Sequence, residues 1–305
     1  MQNLLPSVTG TIIRQCRTGL GGSRAPDPDD YRIRELLRAI WDLHAMYGDD
    51  QPWLWRGQAN AAFNLEPGLH TRVRRCAATL DDATVLGFTD DLLTAARAAG
   101  LNRHENTNLP DMALLALLQH HGAATPLLDV TLDPVVGLYM AVVSPNAVDD
   151  DEDGVLFAIR RPNKTIADFD SRAFATIYGP MAGQSVAFYS APDVSERLRI
   201  QRGHFLMGAV HTTDPRTSIP LVLDPKTPVK GSWIWKRMDR RGKRGPVPPV
   251  SSDVASFRVP SGFKSTIRDW LEARSGLTRD FIYPTPWHQP YLDRFATAHG
   301  RMADF

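Results

Sequence analysis

The chain of 305 residues has few cysteines, and this scarcity excludes a fold built on disulfides. Cys16 and Cys76 are the only two, and neither stands in the paired spacing of a zinc site. Long apolar runs are missing too, since the longest, Val135 to Val143, falls well below the roughly 18 residues of a membrane span. The first ten residues lack the pattern of a secretion signal. We therefore expect a reduced, cytoplasmic protein with no membrane partner.

An excess of one charge is also absent, because 35 lysines and arginines oppose 34 acidic residues. Any preference for nucleic acid must therefore be local. One segment, Trp233 to Arg244, combines tryptophans with closely spaced basic residues, which pair with phosphates while the aromatic rings stack on bases. The alternative is a solvated loop with two tryptophans anchored in the core. The residues predicted to contact nucleic acid are Lys236, Arg237, Arg240, Arg241, Lys243 and Arg244.

Several common catalytic signatures are missing. The sequence contains no phosphate-binding P-loop, no glycine-rich dinucleotide fingerprint, no Gly-x-Ser-x-Gly turn and no His-Glu-x-x-His pair. A catalytic function must therefore rest on another arrangement of residues.

The apolar pattern predicts strands that alternate with helices but lack regular crossovers, which favours a mixed α+β fold. We expect an N-terminal helical extension over residues 1–50 and one domain over 51–305, with a basic, Trp-rich insertion at 231–250. Residues 163–196 are interpreted as irregular, Thr71 to Arg75 as a basic run, and Asp149 to Asp153 as a solvated loop tip. The predicted helices are 31–47, 80–100, 111–122, a buried helix from Asp133-Pro134, and 264–274; the predicted strands are 53–56, 126–130, 154–159, 204–210 and 254–259.

The densest polar motif runs from Gln119 to Thr131, where two histidines, an aspartate and a threonine lie in a turn and an apolar strand. Leaving such groups buried and unpaired costs about 1–3 kcal/mol each, so the motif predicts the floor of a site. His120 and His121 have a second interpretation as caps of helix carbonyls. For Asp129 the alternative is a structural ion pair with Arg56 or Arg199. A zinc site is disfavoured because adjacent histidines point apart.

A second motif, Trp53 to Gln58, is a short aromatic strand that includes Arg56 and Gly57. Arginine remains charged and offers a planar fork of donors to phosphate or carboxylate, and glycine allows a ligand to approach the backbone. The alternative is an arginine that simply caps a strand edge.

These motifs resemble the FRG domain, which is named after its (Phe/Tyr)-Arg-Gly motif. The resemblance rests on Trp55 to Gln58, Leu65 to Pro67, Gln119 to Pro134 and Gln201 to Phe205, and extends to roughly Phe295. The chain departs from the family with Trp55 for Phe or Tyr, with Pro126 for Arg and with Val130 for Trp. Members of the family often sit among bacterial stress and phage-defence genes, which implies a toxin or defence effector.

The order of motifs is also similar, more distantly, to ADP-ribosyltransferases of the Arg-Ser-Glu kind, which implies a split β-sheet flanked by helices and NAD as substrate, with no metal. The similarity implies that Arg56 holds the NAD phosphate or ribose and that Asp129 and Thr131 stand near the nicotinamide pocket. It also implies that Gln201 stands in place of the glutamate that orients the ribose 2′-hydroxyl or the acceptor. A glutamine binds a hydroxyl but cannot act as a base. The implied catalytic residues are Arg56, Asp129 and Gln201, and the implied NAD-binding residues are Arg56, Gly57, Gln58, His120, His121, Thr125 and Thr131.

The first functional hypothesis is therefore an NAD-dependent ADP-ribosyltransferase that modifies nucleic acid or protein and is held in check by a neutralising partner protein. The second is a non-catalytic module that binds a nucleotide or RNA in a defence or regulatory system. The third is a metal-free nuclease that uses His120 or His121.

Overall fold

The computed structural model describes residues 28–45, 53–76, 78–104, 107–181, 185–223, 253–284 and 290–298. The basic segment Lys236 to Arg244, the Trp-rich insertion and the boundary predicted near residue 50 lie outside the described residues. The helices are α1 Pro28–Ala45, α2 Gly68–Arg75, α3 Asp82–Ala98, α4 Asp111–His120, α5 Pro134–Val142, α6 Phe174–Tyr178, α7 Glu196–Ile200, α8 Ser261–Ser275, α9 Arg279–Ile282 and α10 Pro290–Ala298. The strands are β1 Trp53–Gln58, β2 Arg103–His104, β3 Thr107–Asn108, β4 Leu128–Thr131, β5 Gly154–Arg160, β6 Lys164–Ile166, β7 Val186–Tyr189, β8 Gly203–Gly208 and β9 Val254–Val259.

The predicted mixed α+β class is confirmed. Seven strands are hydrogen-bonded in the order β6-β7-β8-β4-β1-β5-β9, and β2 pairs with β3 separately. Strands β6 and β7 are parallel, whereas β7 and β8 are antiparallel, so the sheet is mixed. The pairing gives one seven-stranded sheet, so it does not confirm the expected split sheet. Within the described ranges no helix has both the length and the apolar character needed to cross a membrane.

The chain forms two compact units of alternating segments. The first unit comprises Met1–Phe63, Thr131–Arg161 and Val222–Tyr283, and the second comprises Asn64–Val130, Pro162–Leu221 and Pro284–Phe305. The core of the second unit contains α4, which is apolar nearly all round and has every residue but Gln119 buried. Its packing fixes the place where the central polar motif begins.

In the first unit, helix α5 packs directly on the antiparallel strands β1 and β5. The helix begins where Asp133 accepts a hydrogen bond from the Val135 backbone N–H at 2.9 Å, with Pro134 at its first position. A Cβ atom on Gly57 would lie 2.5 Å from the Ala141 nitrogen and 2.8 Å from the Met140 carbonyl carbon. Helix and strand backbones are therefore closer here than any larger residue permits.

The acidic run Asp149 to Asp153 was predicted as a solvated loop tip, and for its anchoring residues this is wrong. Asp153 accepts hydrogen bonds from the Arg258 Nε at 2.8 Å and from the Ser261 N–H at 2.6 Å. The buried Lys264 ammonium donates to the Asp149 carbonyl at 2.7 Å. Burial lowers the pKa of Lys264, and the surrounding aspartates partly oppose this shift. The Asp153 carboxylate and the Asp149 backbone carbonyl thus join the loop to α8 and β9.

Candidate functional site

The central motif starts at the end of α4 and turns sharply into β4. His120 is the last helical residue, His121 caps the helix, and Gly122 has a φ of 93°, in the left-handed region that ends many helices. Both histidine side chains are buried. The helix end and the turn therefore place the imidazole rings inside the second unit, and their part in the floor of a site stays a prediction.

His120 connects α4 to the short helix α7. Its Nδ1 forms a short hydrogen bond with the Ser195 hydroxyl, and its backbone carbonyl accepts a bond from the Arg197 guanidinium at 3.5 Å. The ring lies 5.9 Å from the ring of Phe205 on β8, measured between centroids. Ser195 also caps α7 by accepting a bond from the Leu198 N–H at 3.1 Å. His120 therefore anchors the beginning of α7 through both its ring and its backbone.

Burial lowers the pKa of His120 to about 4, and the charges of Arg197 and His121 act in the same direction, whereas Asp129 opposes them. The ring is therefore neutral at pH 7. A neutral imidazole has one donor and one acceptor nitrogen, which suits a hydrogen bond with a hydroxyl but not the binding of an anion by charge.

This lowered pKa predicts a loss of stability in mild acid. The unfolded histidine takes up a proton as the pH falls below 6.5, while the folded one stays neutral until about pH 4. Between pH 7 and pH 5 this difference removes about 2 kcal/mol from the free energy of unfolding.

Between pH 7 and pH 5, we expect the free energy of unfolding of His120→Gln to fall by about 2 kcal/mol less than that of the wild type. Urea titrations at the two pH values measure this difference. His211→Gln, at a partly exposed ring of the same unit, is the control and should follow the wild type. Parallel pH profiles for wild type and His120→Gln would contradict the burial of a neutral ring.

His121 has a separate set of contacts. Its Nδ1 lies 3.2 Å from an Asp293 carboxylate oxygen on α10. The two neighbouring histidines thus have different polar partners, in agreement with the expectation that they point apart. The His121 backbone N–H donates to a helix carbonyl, whereas the capping of carbonyls by either histidine ring stays a prediction.

The two threonines of the motif stabilise turns. The Thr125 hydroxyl forms a short hydrogen bond with the Gln119 amide oxygen and accepts one from the Leu127 N–H at 3.3 Å. The Thr131 hydroxyl accepts a bond from the Asp133 N–H at 3.0 Å. These contacts shape the turns at the two ends of the motif, and the predicted contact with NAD stays a prediction.

Asp129 and Gln201 both lie in the second unit. Asp129 is half-buried on β4, and its charge raises the proton affinity of His120. Gln201 is buried and caps the end of α7, two residues before β8 begins. Arg199, suggested as a partner of Asp129, lies within 4.0 Å of Glu196 and 3.7 Å of Asp193. His120, which anchors the beginning of α7, and Gln201, which caps its end, are therefore connected through this one short helix.

Arg56, Gly57 and Gln58 lie in the first unit, on β1. Arg56 is half-buried, and in the antiparallel pairing it faces Phe157 of β5, while Gly57 faces Leu156. The close approach of α5 accounts for Gly57 by packing. The approach of a ligand to the Gly57 backbone stays a prediction.

Sequence reasoning missed a second buried cluster, formed by Glu66 and helix α2. His70 is fully buried, and its Nδ1 lies 2.7 Å from the Ser218 hydroxyl. Burial lowers the pKa of His70 to about 3, with a smaller effect from Arg74. The Thr71 hydroxyl donates to Glu66 at 2.8 Å. The four-residue spacing of His70 and Arg74 places them on one face of α2, and Glu66 stands just before the helix, so this pattern could have revealed the cluster.

Comparison with known families supports the resemblance over part of the chain. The family model of the FRG domain matches residues 51–150, which contain the Arg56-Gly57 strand and the central motif. No curated protein and no solved structure matches the chain significantly.

Proposed function

We propose that this chain is an NAD-dependent ADP-ribosyltransferase, acting as a toxin or defence effector on a nucleic acid or protein acceptor. The observation that carries the proposal is the order of three strands. The strand that bears Arg56, the strand that bears Asp129 and Thr131, and the strand that follows Gln201 are neighbours in the order β1-β4-β8. These motifs are far apart in sequence, and their order along the chain is the order in which the transferases carry their three functional residues.

The residue types suit the reaction. The bond between the ribose C1′ and the nicotinamide nitrogen breaks, and its electron pair leaves with nicotinamide. The acceptor then bonds to C1′ and loses a proton. This path needs a cation for the diphosphate, hydrogen bonds to the ribose and negative charge near the oxocarbenium-like centre. Arg56, Gln201 and Asp129 would supply these in turn.

The fixed position of α7 also supports the proposal. Electrostatic catalysis depends on groups that are already in place before the reaction. Helix α7 is held at its beginning by His120 and ends at Gln201. The glutamine that would contact the ribose is therefore attached to an anchored element.

The proposal is tested by incubating the purified protein with NAD and measuring released nicotinamide by chromatography. We expect Gln201→Glu to keep or raise the rate, because glutamate restores the residue of the transferase group and adds a base. Gln201→Ala should lower kcat/KM at least roughly tenfold.

Glu196→Gln, at an exposed position of the same helix, is the control and should leave turnover unchanged. Equal rates for wild type and both Gln201 variants would remove Gln201 from the site. A wild-type protein that releases no nicotinamide would overturn the proposed function itself.

A further inference from the structure

Arg202 holds a backbone conformation that arginine rarely adopts. Its φ is 47°, and among the described residues Ala147, with a φ of 63°, is the other non-glycine residue with a positive value. In this left-handed region the Cβ atom crowds the following carbonyl, so glycine and asparagine are the usual occupants. The arginine therefore occupies a position that favours a different residue.

The position is the one at which α7 stops. Gln201 caps the helix, and the Arg202 N–H donates to the Arg199 carbonyl at 3.1 Å. Many helices end on a left-handed glycine at this point. The chain does have a glycine next to it, at Gly203, where an added Cβ would lie 2.8 Å from the Leu198 Cδ1, the end of a flexible side chain.

The strain at Arg202 therefore points to a use for its side chain. Backbone strain that a simple substitution would relieve is commonly found at functional sites. The Arg202 residue is exposed, next to the buried Gln201. A guanidinium presents a planar fork of donors that matches two oxygens of a phosphate group.

We propose that Arg202 binds the diphosphate of NAD, an inference that rests on the proposed function. In NAD the diphosphate is joined through C5′ to the ribose that carries nicotinamide. Gln201 is the residue proposed to contact that ribose, so two consecutive residues would recognise two consecutive groups of the substrate. The left-handed turn sets the direction of the second residue relative to the first.

The test uses calorimetric binding of ADP-ribose, which contains the diphosphate but is not consumed. Arg202→Gly should raise the melting temperature, because it relieves the strain, and should weaken ADP-ribose binding at least tenfold. Arg202→Lys keeps the charge but lacks the planar fork of donors. Its affinity for ADP-ribose should therefore lie between those of the wild type and Arg202→Gly. Ala147→Gly is the matched control, since it relieves the same kind of strain in the other unit and should leave affinity unchanged.

The KM for NAD should rise in parallel in Arg202→Gly, with little change in kcat. Wild-type affinity for ADP-ribose in Arg202→Gly, or no ADP-ribose binding by the wild type, would overturn this inference even if nicotinamide were released. Conversely, binding that depends on Arg202 without any release of nicotinamide would sustain the inference and overturn the transferase activity.

Discussion

Gly57→Ala is expected to destabilise the protein by roughly 3–5 kcal/mol, the size reserved for severe overpacking. The added methyl would meet backbone atoms of Ala141 and Met140 and the carbonyl oxygen of Gly137, all on helix α5. Backbone atoms in a helix cannot move aside as a side-chain end can, so the whole helix must lift from β1 and β5. Urea unfolding followed by circular dichroism measures the loss.

Two further glycines make this prediction specific. Gly154→Ala would meet the same end of α5, at the Ala141 carbonyl, and should cost a comparable amount. Because both substitutions displace one helix end, the double variant should lose less than the sum of the single losses. Gly262→Ala, in the first turn of α8, meets nothing within 4 Å and should be neutral or slightly stabilising. If Gly57→Ala unfolds like Gly262→Ala, helix packing does not explain the glycine.

Local signals predicted the elements around the central motif well. Helix α5 was placed by Asp133 as cap and Pro134 at its first position, and α4 by its continuous apolar residues and by Gly122 after its end. These are interactions between neighbours in sequence, so the sequence reveals them. The strands β1, β5 and β9 were found in the same way, from apolar and aromatic runs near the predicted bounds.

The segment 163–196, expected to be irregular, contains β6, α6 and β7. Strand β6 has three residues, Lys164–Ile166, and is defined by its parallel pairing with β7. No alternation can be recognised over three residues, because the partner strand supplies the stabilisation. Helix α2 was likewise missed, since its basic run conceals the buried Leu69 and Val73.

The candidate site was predictable only in part for the same reason. The sequence pointed to His120 and Gln201, but it gave no reason to connect them. Their link is Ser195, which is 75 positions from His120 in the chain and forms the hydrogen bond that holds α7. The sequence contains the signal for a helix cap, a serine followed by Glu196. That the hydroxyl of this serine bonds to His120 is seen only in the fold.

Arg56→Ala is expected to lower kcat/KM for NAD at least roughly 100-fold, or about 3 kcal/mol of lost binding to the reacting substrate. The proposed partner of Arg56 is a diphosphate, and removal of the guanidinium takes away one of the two arginines proposed to bind it. Arg56→Lys should recover part of the loss, because it restores the charge but not the planar fork. Turnover is measured by nicotinamide release, and the fraction folded by a circular-dichroism melt.

Arg160→Ala provides the matched control. Arg160 is also a half-buried arginine on the β1–β5 ladder, where it faces Trp53 across the strands. We expect it to share any loss of stability that follows from removing a strand arginine, while its NAD turnover per folded molecule stays at the wild-type level. If both variants lose turnover equally, or if folded Arg56→Ala retains wild-type kcat/KM, Arg56 stabilises the strand and does not bind the substrate.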